Sequence, residues 1–152
     1  MKISLSDSLA LVLITAWVGG LWAIGYLAAP ALFYTLGENR QLAGNLAGTM
    51  FTWVAYLGLF SGIYLLAHRV ARYGLNAFKQ AFFWTALVML LLALFGHFGV
   101  QPMIAQLKAQ AMPADVMHSV FRDRFATWHG VASIAYLVES LLGLVLVFKA
   151  RS

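Results

Sequence analysis

An acid and an imidazole stand within the apolar segment 125–140, FATWHGVASIAYLVES. Ser133 and Tyr136 follow His129 at four and seven residues, so the three side chains share one stripe of a helix. Glu139 lies on the flank of that stripe, roughly 15 Å deeper than His129 at 1.5 Å per residue. Polar groups in lipid need partners, and the stripe is therefore predicted to face the bundle interior or a wet cavity. Two roles for Glu139 are then open. It takes part in the passage of protons or cations, or it is a neutral acid that holds two helices together by hydrogen bonding.

Histidine and methionine form a second set of candidate ligands, concentrated on one side of the predicted bundle. Imidazole and thioether without thiolate suit copper, especially Cu(I), and two facing histidines suit the axial positions of haem b. The spacings match no fixed ligand motif, and methionine also serves as packing material. The candidate ligands are His97, His118, His129, Met103 and Met117, with Met112 nearby.

The composition indicates what positions these side chains. The chain has 152 residues, of which 62% are hydrophobic and 10% charged, whereas soluble domains carry about 25% charged residues. Four long runs lack charge, apart from Glu139 in the last, and each exceeds the roughly 20 residues that cross a bilayer. The prediction is an all-α integral membrane four-helix bundle forming a single domain over 1–152. The predicted helices are 8–29, 43–67, 81–100 and 127–148, with an outer loop at 101–126.

Charge and residue usage exclude several function classes. No cysteine is present, so disulfides and thiolate sites are excluded. No nucleophile triad or paired carboxylate site appears, and the chain is not predicted to be an enzyme. The net charge of +5 follows from the loops and does not indicate nucleic acid binding. The first apolar run is longer than a signal-peptide core, which favours a retained helix.

Basic residues predict the orientation in the membrane. The side that holds both termini carries six of them against Asp7 alone, and the other side carries four against three acids. The excess of basic residues predicts cytoplasmic termini. The six are Lys2, Arg69, Arg72, Lys79, Lys149 and Arg151.

The outer loop contains an amphipathic stretch, PADVMHSVFRDRF, at 113–125. Pro113 suits the first turn of a helix, and the apolar residues fall on one side. The pattern predicts a short surface helix between helices three and four. It lies on the membrane or caps the bundle.

Small residues recur along one face of the second helix. Such residues let two helix backbones approach closely, and Gly20 in Ala16-xxx-Gly20 offers a matching position on the first helix. We expect the first two helices to pack tightly, with a homodimer contact as the alternative use of the same face. The repeated glycines are Gly44, Gly48, Gly58 and Gly62.

Several short motifs resemble a known family. WVGGLW, APALF, GNLAGTMF, PMIAQL and FATWHG together resemble the bacterial domain family of unknown function grouped with the eukaryotic transmembrane protein 205-like proteins. The resemblance implies four helices in a bacterial inner membrane and, through a similar appearance to copper-resistance proteins, soft-metal handling. His129 is the position that it carries over, whereas Gln101 stands where the family pattern has a basic residue.

Three hypotheses follow from the sequence. The first is an inner-membrane protein that handles or responds to a soft metal such as copper. The second is a non-enzymatic subunit or scaffold of a larger membrane complex, and the third is a protein that binds haem b.

Overall fold

A computed structural model describes residues 4–111 and 119–150, with side chains over 4–107 and 122–150. Every regular element in these ranges is helical. Helix α1 covers Leu5–Thr35 and α2 covers Arg40–Tyr73, followed by a 3-10 turn at Gly74–Lys79. Helix α3 comprises Ala81–Leu94, a π-helical segment Phe95–Val100 and Gln101–Ala111, and α4 covers Ser119–Lys149.

The four helices form an antiparallel bundle in which each packs against its neighbours in sequence, and α1 closes the ring against α4. This up-down-up-down order is the simplest arrangement that short connections allow. All four are long and apolar enough to cross a membrane. The prediction of an all-α membrane bundle is therefore confirmed.

Helices α1 and α3 share an unusual local feature. Each contains a six-residue π-helical segment, Ala23–Ala28 in α1 and Phe95–Val100 in α3, and each segment ends two residues before a proline. Proline lacks an N–H and clashes with the carbonyl group of the preceding turn. A wider π turn accommodates this defect without ending the helix. The helices thus continue through Pro30 and Pro102, beyond the sequence-predicted ends at 29 and 100.

The two π segments begin 72 residues apart, one in the first helix of the bundle and one in the third.

Much of the segment that was predicted to be an outer loop, 101–126, is helical in the described residues. Helix α3 extends to Ala111, and α4 already begins at Ser119, so that Phe125 belongs to the fourth long helix. Residues 112–118, which include the first part of the predicted surface helix at 113–125, lie outside the described part of the chain.

Glycines decide how closely α1 and α2 pack. A Cβ atom at Gly58 would lie 2.5 Å from Nε1 of Trp17, and one at Gly62 would lie 3.3 Å from the same indole. On α1, a Cβ at Gly20 would lie 3.0 Å from Val54. Gly48, by contrast, has no atom within 4 Å of its Cβ position.

Large apolar side chains cover the outside of the bundle. Such a surface is costly in water and suits hydrocarbon, which agrees with a multi-pass position in a lipid bilayer. Examples that are well exposed on the four helices include Leu27, Trp53, Phe60, Leu91 and Phe148.

Candidate functional site

A buried acid and a buried indole occupy the middle of the bundle. Glu139 on α4 is 6% exposed, and Trp17 on α1 is fully buried. Ten residues separate Trp17 from Asp7, and ten separate Glu139 from Lys149, or roughly 15 Å in each helix. Because Asp7 and Lys149 lie at the same end of the bundle, the two side chains share one depth. That depth is close to the midplane of a hydrocarbon layer about 30 Å thick.

The Glu139 carboxyl group and the Trp17 indole face each other at this depth. Glu139 is the acceptor with which the indole N–H interacts, although the pair does not reach regular hydrogen-bond geometry. A buried carboxyl group must bind a proton or a cation, or accept hydrogen bonds, to offset the cost of its burial. The indole supplies one partial partner, and capacity for another remains.

Helix α2 positions the indole. Gly58 leaves the space that the indole nitrogen occupies, and Gly62 leaves space for the far edge of the ring. Ser61 stands on the same turn, fully buried, and its hydroxyl group has no hydrogen-bond partner in the described structure. The midplane layer therefore combines a carboxyl group, an indole N–H and a hydroxyl group from three helices.

Polar side chains extend from this layer towards the end of the bundle that holds the N-terminus. Ser61, Tyr64 and His68 follow one another at three and four residues along α2 and share a face. The Tyr64 hydroxyl group donates to the backbone carbonyl of Ser6 at 3.3 Å. Its ring stacks on His68, with centroids 5.9 Å apart.

An ionic cluster ends this row of polar groups. His68 Nε2 lies 3.3 Å from a carboxylate oxygen of Asp7, and the Arg72 guanidinium donates to the same oxygen. Ser4 caps α1 and donates to the second oxygen at 2.8 Å. The cluster joins the beginning of α1 to the end of α2 beside solvent.

Tyr136 extends the polar groups in the opposite direction and, together with Pro30, accounts for the π segment of α1. Its hydroxyl group donates to the backbone carbonyl of Leu21 at 2.6 Å and lies beside the backbone N–H of Gly25. In a regular helix these two backbone groups would bond to each other. The phenol is thus inserted into the helical ladder, which is one known cause of a π-bulge. A Cβ at Gly25 would collide with its ring.

Helix α4 has one further polar contact with α1. The Trp22 indole donates to the backbone carbonyl of Ser140 at 3.3 Å, and the Ser140 hydroxyl group donates to the carbonyl of Tyr136 at 2.8 Å. Ser133, nearer to the His129 end of the predicted stripe, is exposed, and its hydroxyl group donates to the backbone carbonyl of His129 in the same helix. The half of the stripe near Tyr136 and Ser140 faces the bundle interior, and the half near His129 and Ser133 does not.

The described histidines of the predicted metal set lie in separate surroundings. His97 is half-buried in the π segment of α3, where its Nδ1 atom has no hydrogen-bond partner and Tyr56 packs edge-on at 4.7 Å. His129 is exposed and stacks on Phe125, with centroids 5.9 Å apart. Over the described residues, no three histidine or carboxylate side chains group as metal ligands.

The methionines contribute little further geometry. Met103 is exposed on the extension of α3. Met117 and His118 lie outside the described residues.

Trp17 is the site residue that the sequence did not single out. Of the polar side chains on α2, Tyr56 packs on His97 and Tyr64 bonds to Ser6. The sequence did indicate a shared depth, because Trp17 is ten residues from Asp7 and Glu139 is ten residues from Lys149. Depth alone did not show that the two residues face each other.

Comparison with known proteins gives one match. Residues 12–113 match the family model described as Domain of unknown function (DUF4149). The matched region covers most of α1 and all of α2 and α3, and Glu139 lies beyond it. No curated protein and no solved structure matches the chain.

Proposed function

The chain belongs to the DUF4149 family, and we propose that it is a small multi-pass membrane protein that binds and passes protons through Glu139. The observation that supports this proposal is the burial of Glu139 beside Trp17 at the middle of the bundle. An ionisable side chain at this depth is costly, and such residues commonly belong to ion or proton pathways. The family match indicates no reaction.

The polar groups around Glu139 supply a route in one direction. Ser61, Tyr64 and His68 lead from the midplane layer to Asp7 at the end of the bundle. Hydroxyl and imidazole groups can both donate and accept, as proton transfer along a chain requires. Towards the other end, Tyr136 donates to the Leu21 carbonyl of α1, so a proton would leave past the π segment.

Reconstitution into liposomes tests the proposal. The wild-type protein is expected to speed the decay of an imposed pH gradient, followed with an enclosed pH-sensitive dye and with valinomycin to clamp the potential. Glu139→Gln keeps the size and hydrogen-bonding capacity of the side chain but cannot release a proton. It is expected to reduce the decay to that of empty liposomes. Glu38→Gln, at an exposed position before α2, is the matched control and should behave as the wild type.

The alternative role for Glu139 is that of a neutral acid that holds α1 and α4 together. In that case the wild-type protein would not alter the decay of the gradient, or Glu139→Gln would leave the altered decay unchanged. Thermal unfolding of both variants in the same lipid shows whether the protein remains folded, and either kinetic result then contradicts the proposal.

The three hypotheses from the sequence keep their own tests. Copper binding at His97 or His129 is tested by elemental analysis of the purified protein, with His129→Ala as the comparison. Haem b binding is tested by the Soret absorption of the same sample. A scaffold role is tested by comparing membrane complexes with and without the protein. Location in a bacterial inner membrane with cytoplasmic termini stays a prediction, which reporter fusions at both termini would test.

A further inference from the structure

Arg69, near the end of α2, is buried, and it forms no ion pair with an acid among the described residues. Arg69 is 8% exposed, and its guanidinium carbon lies 4.3 Å from the centre of the Phe82 ring and 4.9 Å from that of Tyr73. The two rings hold the guanidinium through cation–π contacts. Its Nε atom is enclosed and has no hydrogen-bond partner in the described structure.

The nearby acid is engaged elsewhere. Asp7 accepts from Arg72 and lies beside His68, and neither an ion pair nor a hydrogen bond joins it to Arg69 in the described structure. Lys79 and Lys149 add positive charge at the same end of the bundle. A nearly buried cation without a counter-ion is costly, and an anion from outside the chain would lower that cost.

The depth of Arg69 points to the source of the anion. Eleven residues of α2 separate it from Gly58 in the midplane layer, or roughly 16 Å along the helix. Half of the hydrocarbon thickness is about 15 Å, so the guanidinium lies at the level of the lipid headgroups. A planar guanidinium suits phosphate oxygens, because two N–H groups can donate to them in parallel.

We propose that Arg69, held between Phe82 and Tyr73, binds the phosphate group of an anionic phospholipid at the boundary of α2 and α3. The rings fix the plane of the guanidinium before the lipid arrives, which reduces the ordering that binding requires. The site is separate from the Glu139 layer and does not depend on the proposed proton pathway.

Thermal unfolding in detergent, with lipid added, tests the site. Phosphatidylglycerol should raise the melting temperature of the wild-type protein more than phosphatidylcholine does, and native mass spectrometry should show more bound phosphatidylglycerol. Arg69→Gln should weaken that binding about tenfold or more, since a hydrogen bond to a charged group is lost. Arg40→Gln removes the same charge from the exposed beginning of α2 and should keep the preference.

Each other outcome has a defined meaning. Equal response of the wild-type protein to the two lipids overturns the proposal, as does equal loss in Arg69→Gln and Arg40→Gln. Inorganic phosphate that matches phosphatidylglycerol in effect would keep the phosphate site but overturn its assignment to lipid. Should Arg69→Gln not fold, Arg69→Lys keeps the charge without the planar fork. It is then expected to lose most of the preference, and full retention would contradict the proposal.

Discussion

Substitution of Gly58 by alanine tests whether the close approach of α1 and α2 positions Trp17. The added Cβ would lie 2.5 Å from Nε1 and 2.9 Å from Cε2 of an indole that is fully buried. Neither the ring nor the backbone of α2 can move without disturbing the packed core. Gly48→Ala on the same helix is the matched control, because its Cβ would meet nothing within 4 Å.

The two substitutions share one effect and differ in another. Alanine favours a helix over glycine by up to about 1 kcal/mol at either position. Overpacking a close-packed core costs about 1–3 kcal/mol, and only Gly58→Ala has that cost. We therefore expect the free energy of unfolding of Gly58→Ala to be about 1–3 kcal/mol below that of Gly48→Ala. At roughly 2–4 °C per kcal/mol for a chain of this size, the melting temperatures should differ by several degrees.

Thermal unfolding of both variants and of the wild type, in one detergent and lipid mixture, measures this difference. Trp17 should also shift relative to Glu139, so Gly58→Ala is expected to slow the decay of a pH gradient in liposomes while Gly48→Ala leaves it unchanged. Equal stability of the two variants would refute the conclusion that Gly58 leaves the space that the Trp17 indole needs. A less stable Gly48→Ala would refute it as well.

Two further predictions concern Tyr136 and Asp7, which lie at the two ends of the row of polar side chains that includes Glu139. Tyr136→Phe removes the hydroxyl group that donates to the Leu21 carbonyl and should lower the free energy of unfolding by about 1–3 kcal/mol. Tyr56→Phe, which keeps the ring contact with His97, is the control. Equal effects of the two substitutions in thermal unfolding would contradict the insertion of the Tyr136 phenol into α1. Asp7→Asn removes the ion pairs that join α1 to α2 and should lower the melting temperature at low salt. The difference in melting temperature between variant and wild type should shrink as salt screens the ion pairs. A difference that does not change with salt would argue against an ionic contribution.

The sequence was most informative about single helices. Four long runs, without charge apart from Glu139 in the last, predicted four membrane helices, because the thickness of the hydrocarbon layer sets a minimum length for a spanning helix. Spacing on α4 predicted that Glu139 flanks an inward stripe, and its deeper half does face the bundle interior. Small residues on α2 predicted a close contact with α1, and Gly58 and Gly62 lie against Trp17 of that helix.

Spacing was less informative about residues on different helices. His97 packs against Tyr56 of α2, a contact that the spacing within α3 does not indicate. The predicted bounds ended α1 at 29 and α3 at 100, next to prolines, whereas π segments carry both helices past Pro30 and Pro102. The phenol that fills the first π segment comes from α4, more than a hundred residues away, so no local pattern indicates it.

By itself the sequence determined that this chain forms four membrane-length helices, which side chains share a face on each, and how deep each lies, because these follow from composition and from the rise of a helix. Only the tertiary structure decided that Trp17 meets Glu139, that Tyr136 enters the ladder of α1, and that Arg69 lies between two rings. These contacts depend on the rotation of each helix about its own axis. That rotation is decided by how all four surfaces fit together, and the periodicity of one helix does not encode it.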